Sequence, residues 1–221
     1  MARTFAIGDI HGCSKALRAV LKEIDPQKED TIVALGDYVD RGPDSADVIV
    51  QMIELKEKCI VKPLLGNHEA MMIMALREPS EFDFWMSCGG RETLDSYGGE
   101  LEKIPAEHVE FLDACELFFE TEKFFFVHAN YSANIALEKQ QDYTLLWEHL
   151  TSHMPKRHVS GKKAVVGHTP QKDGEVFVSD HLVCIDTFCY GGGWLTALNL
   201  ETQTIIQADL DGKLRDNGDG E

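Results

Sequence analysis

Asp9 and His11 stand two residues apart in Gly8-Asp9-Ile10-His11-Gly12, directly after the apolar run Thr4–Ile7. At the end of a strand, that spacing lets both side chains point to the same side. Asp37 heads a second such turn, Gly36-Asp37-Tyr38-Val39-Asp40-Arg41-Gly42, and a carboxylate with two oxygens can bridge two cations. Three further apolar runs deliver Asn67 and His68 (in Gly66-Asn67-His68-Glu69), His128, and His168 (in Gly167-His168-Thr169). Carboxylates, imidazoles and one amide oxygen form a donor set suited to a pair of divalent ions. Such ions, about 3.5–4 Å apart, stabilise both the attacking and the leaving oxygen of an in-line displacement, and phosphate-ester hydrolysis is the reaction this serves best.

The metal ligands expected on these grounds are Asp9, His11, Asp37, Asn67, His128 and His168. His68 adjoins Asn67 but points elsewhere, so it can reach substrate and protonate a departing alkoxide. Asp40 can keep that imidazole oriented and charged, and the planar fork of Arg41 suits phosphoryl oxygens.

Gly-Asp-Ile-His-Gly, Gly-Asp-Tyr-Val-Asp-Arg-Gly, Gly-Asn-His-Glu, His128 and Gly-His-Thr occur in order from Gly8 to Thr169. The series resembles that of the PPP-type serine/threonine phosphoprotein phosphatases of the calcineurin-like metallophosphoesterase superfamily, bacterial and bacteriophage branch. The stretch around Asp186-Thr187 is similar to that branch too. The resemblance implies one ion on Asp9, His11 and Asp37 and another on Asp37, Asn67, His128 and His168. It implies Arg41 and Asn67 facing substrate, a His68–Asp40 pair supplying the proton, and two divalent ions, Mn2+ first, with Fe or Zn2+ as alternatives. Its fold would be a four-layer α/β/β/α sandwich with a helical insertion. The chain departs from this pattern in two places. Ala129-Asn130-Tyr131 follows His128 where small residues are usual, and Trp147-Glu148-His149 carries histidine where many bacterial relatives have an arginine. Arg91, Arg157 and His158 are the candidates for a replacement anion contact.

The elements that must position these residues are legible in the apolar pattern. Short runs rich in Val, Ile and Phe and closed by glycine read as buried strands. Between the first two, Leu17, Val20, Leu21 and Ile24 recur at helical spacing, and a second helix is expected from Ser45 to about Lys58. Strand, ligand turn and helix thus repeat, which is an α/β signature. Residues from about 70 to 119 carry helical patterns and no strand, and read as an insertion that contributes to substrate choice. Beyond His168 the pattern is a β-meander over Glu175–Val178, Leu182–Asp186, Trp194–Leu200 and Thr204–Leu210. The expectation is one domain over 1–213 and a flexible acidic tail over 214–221.

The 221 residues carry a net charge of −17, which disfavours a nucleic-acid partner because phosphate backbones are met with Lys and Arg. No signal peptide or membrane span is evident, and six scattered cysteines without a CxxC pair read as free thiols of a cytoplasmic protein. The expected activity is hydrolysis of phosphoserine and phosphothreonine in proteins, by direct attack of metal-activated hydroxide without a phosphoenzyme. The alternatives are a symmetrical dinucleoside polyphosphate (diadenosine tetraphosphate) hydrolase and, more remotely, a non-catalytic metal-binding adaptor; the expected partner is a phosphorylated protein or a small phosphate ester.

Overall fold

The computed structural model describes residues 2–216. Strands β1 (Thr4–Ile7), β2 (Thr31–Ala34) and β3 (Ile60–Pro63) pair in parallel, linked by helices α1 (Ser14–Ile24) and α2 (Ser45–Leu55). Parallel neighbours need a crossover of this length, and two successive β-α-β units supply it. A helical stretch follows: α3 (Asn67–Arg77), α4 (Phe82–Trp85), a kinked turn over Met86–Gly90, α5 (Arg91–Ser96) and α6 (Ala106–Asp113).

The second sheet begins with β4 (Phe118–Glu120) and β5 (Phe124–Val127). After α7 (Asp142–Trp147) it gains β6 (Lys163–Val166), β7 (Phe177–Val178) and β8 (Leu182–Cys184), in the order β4-β5-β6-β8-β7. The chain then returns to the first sheet with β9 (Asp186–Thr187), β10 (Trp194–Asn199) and β11 (Ile205–Ala208), giving the order β11-β10-β1-β2-β3 with β9 on β10.

Alternation along each strand builds the layers. Phe5 and Ile7 face a core shared with α1, α2 and α3, whereas Ala6 between them joins Val33, Phe126, Val165, Val183 and Leu198 between the two sheets. Phe125 and Val127 turn the other way, toward Leu145 and Leu146 of α7. Helices therefore cover the outer face of each sheet, and the expected α/β sandwich is the observed mixed α/β architecture.

Three sequence expectations are corrected. Beyond His168 the strands do not form one meander, because β8 pairs in parallel with β6 while β10 crosses over to run antiparallel to β1, Phe5 opposite Asn199. The stretch from 70 to 119 ends in a strand, β4, stabilised by Phe119 stacking on Phe126 across the pair. In the presumed tail, Leu214 bridges to Ala208 and Arg215 donates to the Gly174 carbonyl (2.9 Å) with its guanidinium over Trp194, contacts that composition does not encode. The rest of that tail, 217–221, lies outside the described residues.

Candidate metal centre and catalytic pocket

Every sequence-predicted site residue lies just beyond the carboxyl end of a strand: Asp9 and His11 after β1, Asp37, Asp40 and Arg41 after β2, Asn67 and His68 after β3, His128 after β5, His168 after β6. Parallel pairing within each sheet brings these ends to one edge, as in other open α/β sheets. The turns are tight. Of the eight non-glycine residues with positive φ among the described residues, five are His11, Asp37, Asp40, Arg41 and His168. Left-handed backbone at such residues costs free energy and concentrates where function over-determines it. Gly36 has φ +103°, and a Cβ there would lie 2.6 Å from the Gly66 nitrogen and 3.0 Å from His128 Nδ1.

The hydrogen bonds assign the imidazole tautomers. His128 Nδ1–H donates to the Leu35 carbonyl (2.8 Å), so Nε2 carries a lone pair. That lone pair faces Asn67 Oδ1 at 3.0 Å, His168 Nδ1 at 3.1 Å and Asp37 Oδ1 at 3.4 Å. His168 Nε2–H donates to the Trp147 carbonyl (3.2 Å), leaving its Nδ1 an acceptor as well. His11 Nδ1–H donates to the Val39 carbonyl (2.9 Å), and its Nε2 faces Asp37 Oδ2 at 3.4 Å. Acceptors thus converge on acceptors on both sides of Asp37, an arrangement that calls for cations.

Two compact trios of donor atoms result, His11–Asp37–His68 and Asp37–His128–His168, sharing Asp37. The first differs from expectation, since His68 joins it and Asp9 does not. Both Asp9 oxygens instead accept from the His168 amide, at 3.0 and 3.1 Å.

Burial sets the electrostatics. It lowers His128 and drives His11 and His168 down to about 3, so all three rings are neutral and available as ligands. Burial, then Asp186 and Asp37, push the Asp9 carboxyl well above the ordinary range, and burial takes Asp186 up to about 7. Burial opposes the charge of Asp37 as well; only positive charge around it, at His128 first, holds its carboxyl low, and with the rings neutral that charge falls to a cation. Three buried carboxylates beside neutral imidazoles fit divalent ions, whose charge offsets the cost of burying them together.

A cavity of about 500 Å3 opens beside the trios, walled by Asp37, Arg41, Asn67, His68, His168, Met71, Trp147 and Tyr190 among others. Arg41 donates from Nη1 to His11 Nε2 (3.0 Å) and lies 5.0 Å from the centre of the Tyr190 ring. His68 Nδ1–H donates to Asp40 Oδ2 at 2.7 Å, both residues being buried.

The replacement anion contacts are not found here. Arg157 bonds the Gly161 and Asp180 carbonyls, His158 is enclosed by Ser160 and Ile135, and neither they nor Arg91 line the cavity. His149 does, its ring tilted against His168 with centroids 4.3 Å apart. The departure after His128 has a structural use: buried Asn130 donates to the His153 carbonyl (2.8 Å), tying the ligand loop to the segment that carries His149.

Sequence reasoning missed Tyr190, Trp85, Thr93 and the bonding of Glu69. A glycine-rich turn signalled the first only faintly, and the others act through partners distant in sequence.

The calcineurin-like phosphoesterase family matches residues 2–200. A serine/threonine-protein phosphatase 1 of Salmonella typhimurium is 29% identical over 215 residues, covering 89% of this chain and 91% of the relative. A symmetrical bis(5'-nucleosyl)-tetraphosphatase of Acidovorax sp. is 41% identical over 83 residues, 36% of this chain and 29% of the relative. Among solved structures, one provisionally described as a diadenosine tetraphosphatase superposes with a TM-score of 0.72 at 21% identity, covering 98% of this chain and 95% of the other.

Proposed function

Because the chain belongs to the calcineurin-like phosphoesterase family, we propose that it is a two-metal phosphomonoesterase whose substrates are phosphoserine and phosphothreonine in proteins. The ligands assigned are Asp9, His11 and Asp37 for one ion and Asp37, Asn67, His128 and His168 for the other, with Mn2+ the first candidate ahead of Fe or Zn2+. Ions on these donors supply the charge that activates an attacking water and neutralises phosphoryl oxygens. Arg41, braced against Tyr190, grips the phosphoryl group and orients it for in-line displacement. His68 gives its Nε2 proton to the ester oxygen as the P–O bond breaks, and Asp40 keeps the ring turned.

The observation that carries the choice of substrate is the cavity wall. Arg41 is the one Arg or Lys among the described residues lining it. One guanidinium suits a single phosphoryl group, whereas a chain of four phosphates brings several charges that a protein of net charge −17 otherwise repels. The near full-length match to a protein phosphatase supports the same reading. The test is kcat/KM with Mn2+ on phosphoserine and phosphothreonine peptides against diadenosine tetraphosphate, with Asp9→Asn as control. Preference for the peptides is expected. Preference for the dinucleotide would overturn the substrate assignment and leave the metal and proton roles standing.

A further inference from the structure

Asp40 lies behind His68, and two of the three side chains that donate to its carboxylate come from the helical insertion. Its carboxylate is completely buried. Oδ2 accepts from His68 Nδ1 (2.7 Å) and Trp85 Nε1 (3.2 Å); Oδ1 accepts from Trp85 Nε1 (3.0 Å) and Thr93 Oγ1 (2.8 Å). The Asp40 amide in turn donates to Thr93 Oγ1 (2.7 Å). Since the one Thr93 hydroxyl proton is committed to the carboxylate, Ser45 is the donor in the Ser45–Thr93 contact of 3.0 Å. Trp85 and Thr93 are themselves fully buried. Every donor in this cradle is accounted for, so the carboxylate has one orientation, and with it the imidazole it anchors.

The kinked turn between the two residues packs against the same site. A Cβ on Gly90 would meet the Trp85 indole at 2.6 Å, and one on Gly89 would meet Arg41 Cγ at 2.8 Å, while the Gly89 carbonyl accepts the Arg41 amide (3.1 Å). Gly89, with φ +115°, breaks the helical run, and the kink presses the insertion onto Asp40 and Arg41 at the end of the Asp37 turn.

We propose that the insertion is part of the proton-delivery apparatus: Trp85 and Thr93 are positioning residues that fix Asp40 and, through it, aim His68 Nε2 at the departing oxygen. The proposal rests on the reading of His68 as the acid. It separates the insertion from a mere cover over the sheet, because it assigns a chemical consequence to two hydrogen bonds.

The test uses the full chain with Mn2+ and two substrates: a phosphoserine peptide, whose alkoxide needs a proton, and 4-nitrophenyl phosphate, whose leaving group does not. Trp85→Phe removes the indole donor and leaves a small cavity, and Thr93→Val removes the hydroxyl with little change of shape; Thr93→Ser restores the hydroxyl, and His68→Asn is the reference. Expected is a fall in kcat of about tenfold on the peptide in Trp85→Phe and Thr93→Val, a change below about twofold on 4-nitrophenyl phosphate, and recovery in Thr93→Ser. A second readout needs neither turnover nor metal. With only three tryptophans in the chain, the Trp85 indole N–H resonance can be assigned, and it moves in Asp40→Asn. Equal losses on both substrates, no loss on either, or an indole resonance indifferent to Asp40→Asn would overturn the proposal. If the two variants lose activity equally on both substrates while His68→Asn stays selective for the peptide, positioning fails and the acid role survives. If His68→Asn also hits both substrates equally, the acid role falls too.

Discussion

Glu69 takes part in none of the proposed chemistry, yet four backbone N–H groups converge on it. Asp37 N (2.7 Å) and Gly66 N (3.0 Å) donate to Oε2, and Tyr38 N (2.7 Å) and Val39 N (3.2 Å) donate to Oε1. Burial and the Asp37 charge push its carboxyl up to about 8. Four donors leave a carboxyl proton no acceptor, however, and that favours the ionised form. One buried side chain thereby fixes the turn carrying Asp37 to the start of the helix carrying Asn67 and His68. Glu69→Gln places an NH2 group against these donors. It should cost about 2–3 kcal/mol of stability and weaken Mn2+ binding about tenfold or more, read by urea unfolding and calorimetry. Unchanged metal affinity would show that the turn holds without it. The sequence displays Glu69 within a ligand motif but conceals this role, because three of its four donors lie some 30 positions upstream. Asp9, His11, Asp37, Asn67, His128 and His168 can be read as candidate ligands for the opposite reason: each follows a short apolar run that reads as a strand.

At the level of elements, the strands bearing ligands announce themselves through short apolar runs, and α1 through its helical repeat, because these signals are local. The partition into two sheets is not local. β10 completes the first sheet beside β1, some 190 residues earlier in the chain, and β8 adds to β6 in parallel rather than turning back along it. Nothing in either strand's own sequence dictates that choice; the pairing is settled by which face each strand must bury. The insertion is a mixed case. Its helical character could be read from periodicity, but the kink over Met86–Gly90 and the inward aim of Trp85 depend on Arg41 and Asp40 lying beneath.

For the molecule as a whole, the charge of −17 sets solubility rather than fold, and acid tolerance depends on single well-held carboxylates. Asp30 is one. Its bond with the Arg3 guanidinium, aided by the Gln27 and Arg3 amides, holds it down to about 2. A depressed carboxyl stabilises the fold above its unfolded value near about 4 and loses that contribution as pH falls toward about 2. Arg3 is partly exposed, so solvent screening limits the contribution to about 1 kcal/mol. Asp30→Asn should lower the urea midpoint at pH 7 and flatten its decline between pH 4 and 2; an unchanged acid limb would exclude Asp30 as a contributor. No helix among the described residues is long and apolar enough to cross a membrane. The whole arrangement of strands serves one edge, where the two oxygens of Asp37 face His11 on one side and His128 on the other. Counting Mn2+ ions bound per chain in the wild type and in Asp37→Asn, beside turnover of a phosphoserine peptide, tests that claim most directly. Two ions are expected in the wild type, with loss of at least one in the variant and turnover lowered by at least about 100-fold. A wild-type chain that binds one ion or none, or that keeps its turnover in excess chelator, would contradict it.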